Sequence, residues 1–177
     1  DEIKKKDIRI NDSVWVKRAG DVIPYISKVE KTKRTKNSLV FKIPTYCLCG
    51  KFKIIKTKGE TVQRCSGGIK CTYQYVESLK HFVSKKAMNI DGLGDKQIEK
   101  FIELKFISKK LDIYYLSKFQ KEITDLEGFG LKSYENLIQS IEKSKKTTLS
   151  RFLFSLGLRY VGENNSELLA NYFQSIE

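Results

Sequence analysis

The chain has 177 residues and a formal net charge of +13, with 40% hydrophobic and 11% aromatic residues. This composition supports a folded core and excludes a disordered or acidic solvating chain. The longest apolar runs, such as residues 152–158, are too short to span a bilayer, and the charged residues 1–6 do not resemble a signal peptide. We therefore predict a folded protein of one domain or a few small ones, with no membrane partner.

The positive charge is concentrated in the first half of the chain. Residues 1–86 contain 21 Lys and Arg against 8 Asp and Glu, whereas residues 87–177 contain 13 of each. A basic excess of this kind usually matches a polyanionic partner, most often nucleic acid. The alternative is a lysine-rich solvated surface without such a partner, because 28 Lys accompany only 6 Arg.

Residues 12–43 have a strand-like pattern, with predicted strands around Val14 and Val16, a turn at residues 19–21, and further strands at residues 22–29 and 39–43. The basic segment 28–36 is predicted to be a solvated loop. Because 43 residues are too few for a five-stranded OB barrel, either the segment is not a barrel or the chain begins inside one. We favour the second and predict part of an OB-fold domain.

All four cysteines lie within residues 44–75, at Cys47, Cys49, Cys65 and Cys71. Two pairs separated by a short β-forming segment suit a tetrahedral four-thiolate zinc site, which would stabilise a segment too small to form a core. The alternative is free, partly buried cysteines. His81 follows soon after and could replace one thiolate, although we favour an ordinary helix-surface histidine.

From residue 76 onward the apolar residues recur at helical spacing, which predicts an all-α domain over residues 76–177. We interpret the clearest apolar stripes as helical core, namely Phe101/Ile102, Leu137/Ile138/Ile141 and Leu168/Leu169/Tyr172/Phe173.

A motif repeats three times in this helical half, at residues 90–96, 126–132 and 158–164. Each copy predicts a helix, a tight turn and a second helix, with apolar or small residues four, seven and eight positions after its last glycine. Glycines let a phosphate approach the backbone, and the first amides of the next helix point at it. The predicted DNA contacts are Gly92, Gly94, Lys96, Gly128, Gly130, Lys132 and Gly162. The third copy has Tyr160 where the others have glycine, and a single such turn could be merely structural.

These three parts, in this order, resemble the NAD-dependent DNA ligases of bacteria. The matching stretches are residues 14–24, 44–47, 64–68 with Cys71, 78–84, 90–96 and 156–163. The resemblance covers essentially the whole chain. It implies a multidomain fragment: the end of an OB-fold domain at 1–43, a small four-cysteine zinc finger at 44–75, and three of four helix-hairpin-helix motifs in an incomplete all-α domain at 76–177. It also implies that Arg18 contacts DNA.

The resemblance further implies the DNA-binding portion of an enzyme that seals single-strand nicks, joining 3′-OH to 5′-phosphate in replication and repair. The family nucleophile is a Lys in K-x-D-G, and this chain has Asn89 at the matching place of residues 89–92. We therefore expect no catalytic residue here and no ligation by the chain alone. NAD and Mg²⁺ would be bound mainly by domains before residue 1, and a fourth hairpin and a BRCT domain would follow residue 177.

The expected cofactor within the chain is Zn²⁺ on the four cysteines, and the expected partner is nicked double-stranded DNA. A monomer in the bacterial cytoplasm, associated with the nucleoid, is also expected. The first cysteine pair departs from the family, because it reads C-x-C where the family has C-x-x-C. We therefore expect altered zinc geometry at Cys47 or Cys49.

Two other functions fit parts of the pattern. One is a helix-hairpin-helix DNA glycosylase with lyase activity, in which Lys96 or Lys132 would be the nucleophile and Asp112 would assist. The other is a non-enzymatic module that recognises DNA structure for a partner nuclease.

Overall fold

The computed structural model describes residues 2–18, 20 and 23–176, and the chain forms two compact units, residues 1–45 and 46–177. The four cysteines and the helices that follow them belong to the second unit. Most of the predicted turn at 19–21, and residue 22 of the next predicted strand, lie outside the described residues.

The described residues of the first unit form one short helix and four short strands: α1 Glu2–Lys5, β1 Arg9–Ile10, β2 Val14–Lys17, β3 Tyr25–Val29 and β4 Leu39–Val40. The strands form two antiparallel pairs, β1 with β4 and β2 with β3. Three details differ from the sequence-based expectation. Helix α1 was not predicted, β4 ends at Val40 rather than residue 43, and the predicted loop at 28–36 contains the end of β3 and a 3-10 turn at Lys31–Lys33.

Arg34 ties the segments of the first unit together. Its guanidinium donates to both carboxylate oxygens of Asp12, at 2.9 and 2.8 Å, and to Asp7 at 2.8 Å. The Asp12 side chain is 1% exposed, so its charge depends on this partner. The hydrogen bond from Arg34 holds the pKa of Asp12 below its ordinary value, against the opposing effect of burial.

This ion pair predicts an acid-sensitive first unit. A carboxyl group with a lowered folded-state pKa contributes stability above its unfolded pKa, and that contribution is lost as the pH falls through the folded value. We expect the unit to lose stability as the pH falls below the ordinary aspartate value of 3.8. We expect Asp12→Asn to be less stable at pH 7 and to show a flatter pH dependence.

Urea denaturation followed by the fluorescence of Trp15, the single tryptophan, measures this unit directly. The exposed Glu2→Gln variant is the control and should keep the wild-type pH profile. An unchanged pH profile in Asp12→Asn would contradict the assignment.

The second unit begins with a small antiparallel hairpin, β5 Ile54–Lys56 paired with β6 Gln63–Cys65, followed by a 3-10 turn at Gly68–Lys70. The helices that follow are α2 Thr72–Val83, α3 Asp95–Glu103, a 3-10 helix Lys110–Phe119, α4 Gln120–Thr124, α5 Leu131–Ser144, α6 Leu149–Ser155 and α7 Glu163–Phe173. Helix α2 starts inside the segment 44–75, because Cys71 is its N-cap residue. None of the helices in the described residues is long and apolar enough to cross a membrane.

The core of the second unit lies among α2, α3, the long 3-10 helix, α4 and α5, with Phe101, Leu137 and Ile141 among its buried residues. The repeat periodicity is confirmed, because the residue four positions after the last glycine of each copy is buried: Ile98, Tyr134 and Ser166. A helix buries one face, so the shared offset places Ile98 and Tyr134 in the core and Ser166 on the buried face of α7.

The third apolar stripe was predicted wrongly as core. Leu168, Tyr172 and Phe173 are 67%, 80% and 63% exposed, and only Leu169 is half-buried. Helix α7 packs mainly against α6, through the face that carries the buried Ser166. The stripe lies away from that contact, so helical spacing alone did not determine burial.

Candidate metal centre and nucleic-acid interface

The four cysteine sulfurs converge on one point. The Sγ atoms of Cys47, Cys49, Cys65 and Cys71 all lie within 4.8 Å of one another, and Cys47 Sγ is 3.7 Å from Cys71 Sγ. In a tetrahedral zinc–thiolate site with Zn–S distances of about 2.3 Å, the sulfurs are about 3.8 Å apart. The sulfur spacing therefore fits a tetrahedral metal site, and the shortened C-x-C pair takes part in it.

A tight turn contains the first cysteine pair. Cys47 and Gly50 close a turn through a 2.8 Å backbone hydrogen bond, and Gly50 takes a positive φ of 70°. Behind the second pair, the amide of Gly67 donates to Cys65 Sγ at 3.4 Å. A β-carbon on Gly67 would lie 2.3 Å from the Phe52 ring, so only glycine fits there.

The pKa values of Cys47 and Cys49 are shifted in opposite directions. The amide of Lys51, followed by that of Phe52, favours the thiolate of Cys49 and lowers its pKa to about 7. The Cys49 amide favours the Cys47 thiolate, but burial and the neighbouring cysteine sulfurs outweigh it and raise the pKa of Cys47 to about 12. The Cys49 thiolate therefore forms readily near neutral pH, whereas Cys47 would need a bound dication to ionise there.

His81 is neither a ligand of this cluster nor a free surface residue. Its Nε2 lies 2.7 Å from the carbonyl oxygen of Phe154, at the C-terminal end of α6, and its ring packs edge-on against the Phe154 ring. Lys110 donates to the carbonyl oxygen of Leu156, the C-cap residue of α6, at 3.2 Å. These two side chains therefore bind carbonyl groups at the C-terminal end of α6, where the Phe154 carbonyl also accepts from the Gly157 amide at 3.1 Å.

We call residues 91–94, 127–130 and 159–162 the first, second and third repeat turns. Each contains one residue with positive φ: Gly92 at 91°, Gly128 at 76° and Tyr160 at 66°. A β-carbon on Gly92 would lie 3.3 Å from Leu137 Cβ, whereas Gly128 has open space around it. Glycine adopts a positive φ without strain, so the turn geometry explains why glycine occupies positions 92 and 128.

The last glycine of each turn has no such explanation. Gly94, Gly130 and Gly162 are the N-cap residues of α3, α5 and α7, with φ of −67°, −75° and −79° in extended conformations open to any residue. A β-carbon would find open space at Gly130 and Gly162 and only the end of the Gln97 side chain at Gly94. Neither conformation nor packing therefore requires glycine at these positions.

These three helices also begin without side-chain caps. Among the described residues, no side chain caps α3, α5 or α7, whereas the hydroxyl of Thr148 accepts from the Arg151 amide and caps α6. Serine, threonine, aspartate and asparagine stabilise a helix start better than glycine does. The first amides of the three repeat helices are thus left available to an external acceptor.

The three helix starts differ in charge. Helices α3 and α7 begin with Asp95 and Glu163, which lie 3.8 Å from Lys80 Nζ and 2.7 Å from Lys86 Nζ. Helix α5 begins with Leu131, and its next residue, Lys132, is exposed. The second repeat turn therefore has the helix start with the fewest obstacles to an anion.

The remaining predicted contacts are at the surface. Arg18 follows β2 in the first unit and is exposed, and Lys96 is exposed in the first turn of α3. Lys132 lies 3.8 Å from Glu135. Asp112 is engaged elsewhere, since its carboxylate accepts from the amides of Ser108 and Lys109 at the start of the long 3-10 helix. This helix-capping role leaves the lyase interpretation without its assisting carboxylate.

Sequence reasoning missed the side chains that hold the repeat turns from a distance. The hydroxyl of Ser140, on α5, accepts from the Asp91 amide at 2.8 Å and so supports the first turn. Glu60, in the turn between β5 and β6, accepts from Arg159 and Tyr160 of the third turn. No local signal marks these residues, because their partners lie 49 to 100 positions away in the chain.

The sequence of the chain is similar to those of known DNA ligases. The NAD-dependent DNA ligase OB-fold domain matches residues 1–38. A DNA ligase of Coxiella burnetii (strain CbuK_Q154) is 48% identical over all 177 residues, and a DNA ligase of Acinetobacter baumannii (strain AYE) is 44% identical over 176 residues, 99% of this chain.

In both cases the chain spans 26% of the relative's length. The matches run through the basic β segment, the cysteine cluster and all three repeat turns, in the order expected from the sequence. The chain is therefore a segment of a bacterial NAD-dependent DNA ligase.

Proposed function

We propose that this chain is the DNA-binding portion of a ligase that seals single-strand nicks in duplex DNA during replication and repair. The whole enzyme would transfer AMP from NAD to a lysine outside this chain, then to the 5′-phosphate at the nick, and would finally join that phosphate to the 3′-OH. NAD and Mg²⁺ would act mainly outside these residues, since the chain has no K-x-D-G lysine. Its own task is to bind and orient the duplex.

One observation carries this proposal: three helices begin with uncapped glycines in matching extended conformations. Free amides at a helix start, aligned with the helix dipole, form an anion site, and glycine allows a phosphate oxygen to reach them. We assign the three repeat turns as helix-hairpin-helix motifs that grip DNA phosphates, supported in the first two by Lys96 and Lys132. Such contacts position a protein on DNA without reading its sequence.

The four cysteines would hold one Zn²⁺, with Cys47, Cys49, Cys65 and Cys71 as its complete ligand set. Four thiolates leave no open coordination position for a substrate or water, so the ion would supply folding energy rather than chemistry. The zinc finger would span residues 44–75, between the OB-fold segment at 1–43 and the helix-hairpin-helix domain at 76–177. The cytoplasmic, nucleoid-associated location and the monomeric state remain predictions.

The charge distribution suggests that the two halves of the chain contribute to DNA binding in different ways. Residues 1–86 carry all of the net positive charge, and such a field attracts DNA over a distance set by the ionic strength. The helical half is neutral overall and would act at short range through amide donors. Arg18 would contribute from the first unit.

We expect the chain to bind nicked duplex with a steep salt dependence. If Arg18, Lys96 and Lys132 each neutralise one phosphate, affinity should fall by at least roughly fortyfold between 50 and 200 mM salt. Fluorescence anisotropy of a labelled nicked duplex over this range measures the slope. Lys132→Gln should reduce the slope by about one, and the matched control Lys121→Gln, on an exposed lysine of α4, should change it much less.

The same samples test the division of activity between domains. The chain alone should not join a nick in the presence of NAD and Mg²⁺. Ligation by the isolated chain, or nick affinity that does not respond to salt, would overturn the proposed function.

A further inference from the structure

Tyr160 holds the position that glycine holds in the first two repeat turns, and it takes the same left-handed conformation. Its φ is +66°, beside +91° for Gly92 and +76° for Gly128. A tyrosine avoids this region because its β-carbon crowds the following carbonyl, and such strain persists only where surrounding contacts enforce it. The third turn must therefore contain the means of holding Tyr160 in place.

Glu60 provides the restraining contact. Its Oε1 accepts a 2.8 Å hydrogen bond from the Tyr160 hydroxyl and a 3.0 Å hydrogen bond from the Arg159 guanidinium. Asn165, on the first turn of α7, donates to the Tyr160 carbonyl at 2.7 Å and so holds the backbone of the same residue. Tyr160 is thus fixed both at its hydroxyl and at its backbone.

The residue that restrains Tyr160 belongs to the hairpin formed by β5 and β6, residues 54–65, which we call the cysteine hairpin. Glu60 lies in the turn between β5 and β6, where its amide closes a 3.0 Å hydrogen bond to the Thr57 carbonyl. Its side chain is only 14% exposed, and its second oxygen, Oε2, is buried with no hydrogen-bond partner in the described part of the chain and lies 3.8 Å from Arg64 Nε. Burying a carboxylate costs free energy unless hydrogen bonds or ion pairs compensate for the lost hydration. The partners of Glu60 are therefore needed to keep it in this position.

We infer that Glu60 is a positioning residue for the third repeat turn: it holds Tyr160 in the left-handed conformation and so presents the amides of α7 to a DNA phosphate. Glycine performs this task unaided in the other two turns. The inference rests on the proposed function, because it assumes that the repeat turns receive phosphates. It also makes the third turn depend on the folded cysteine hairpin, 100 residues earlier.

The direction of the affinity change in one variant distinguishes this positioning role from a simple effect of charge. Glu60→Ala removes a negative charge, which by itself should strengthen DNA binding. If Glu60 positions the third turn, the same change frees Tyr160 to leave the competent conformation, and the apparent affinity falls with the competent fraction. We expect nicked-duplex affinity to weaken by about tenfold, in line with the strain of a left-handed tyrosine.

A second substitution tests the mechanism. Tyr160→Gly removes the need for restraint, since glycine adopts positive φ freely. Introduced into the Glu60→Ala background, it should restore affinity to within about twofold of wild type. Tyr160→Phe, which loses only the hydroxyl, should weaken binding, and Glu60→Gln, which keeps an acceptor oxygen, should stay near wild type.

The measurement is anisotropy of a labelled nicked duplex at fixed salt, with circular dichroism to verify folding of every variant. Unchanged or tighter binding by Glu60→Ala, or failure of Tyr160→Gly to restore binding in that background, would overturn the positioning role. Gly130→Ser, in the second turn, serves as the reference variant. If Gly130→Ser weakens binding while Glu60→Ala does not, only the role of Glu60 is wrong; if the wild-type chain fails to bind nicked duplex, the proposed function and this inference both fall.

Discussion

We expect the Cys71→Ser variant to lose its bound zinc and to unfold the cysteine hairpin while the helical core persists. Cys71 is fully buried, its Sγ lies 3.7 Å from Cys47 Sγ, and it is the N-cap residue of α2. The hairpin consists of two three-residue strands. Such a segment cannot form a core of its own, and structural zinc contributes roughly 10–16 kcal/mol at pH 7 in small zinc domains.

Metal analysis after dialysis should find about one zinc per wild-type chain and close to none in Cys71→Ser. Hydrogen exchange should show lost protection in β5 and β6, while amides around Phe101 and Leu137 in the helical core stay protected. Leu48→Ala, at an exposed position between Cys47 and Cys49, is the matched control and should retain the metal.

Two outcomes would contradict the assignment. One is a full zinc content in Cys71→Ser with wild-type protection of the hairpin. The other is loss of zinc on substitution of His81, whose ring nitrogen is engaged by the Phe154 carbonyl and lies outside the sulfur cluster.

The second large effect is expected at Gly130. Serine is a better N-cap residue than glycine, so Gly130→Ser should keep or slightly raise the stability of α5, by a few tenths of a kcal/mol at most. Its side chain would occupy the open space where a phosphate oxygen must approach and would compete for the same amides. Because hydrogen bonds to a charged group contribute about 1.5–3 kcal/mol, we expect affinity for nicked duplex to fall by roughly tenfold or more.

Opposite signs for stability and affinity make this substitution diagnostic. Thermal denaturation and anisotropy on the same sample measure both quantities. Thr148→Ser, at the N-cap of α6 outside the repeat turns, should leave both unchanged. If Gly130→Ser binds nicked duplex as tightly as the wild type, the second turn is not a phosphate site and glycine there needs another explanation.

The parts of the fold and site that follow local spacing were predictable. The cysteine cluster follows from two close pairs that a short hairpin brings together, and the three repeat turns follow from glycines at fixed offsets from buried residues such as Ile98 and Tyr134. In both cases the interacting residues are near one another in sequence, so turn chemistry and helical periodicity dominate.

The errors concern contacts between distant parts of the chain. The stripe Leu168/Leu169/Tyr172/Phe173 has the periodicity of a core face, yet three of its four residues are exposed because the helix packs through its other side. His81 was expected at a helix surface, but it lies against Phe154, 73 residues later. Periodicity predicts an apolar face and contains no information about which element covers it.

The amino-acid sequence by itself determined the order of the parts, the four metal-ligating candidates, the three repeat turns and the concentration of positive charge in residues 1–86. Each of these depends on composition or on spacing within a few dozen residues. Only the tertiary structure decided how Tyr160 can replace glycine, because the carboxylate of Glu60 that holds it comes from the cysteine hairpin 100 residues earlier. A left-handed tyrosine is unfavourable in isolation and stable only when distant contacts restrain it, so no local pattern could have revealed it.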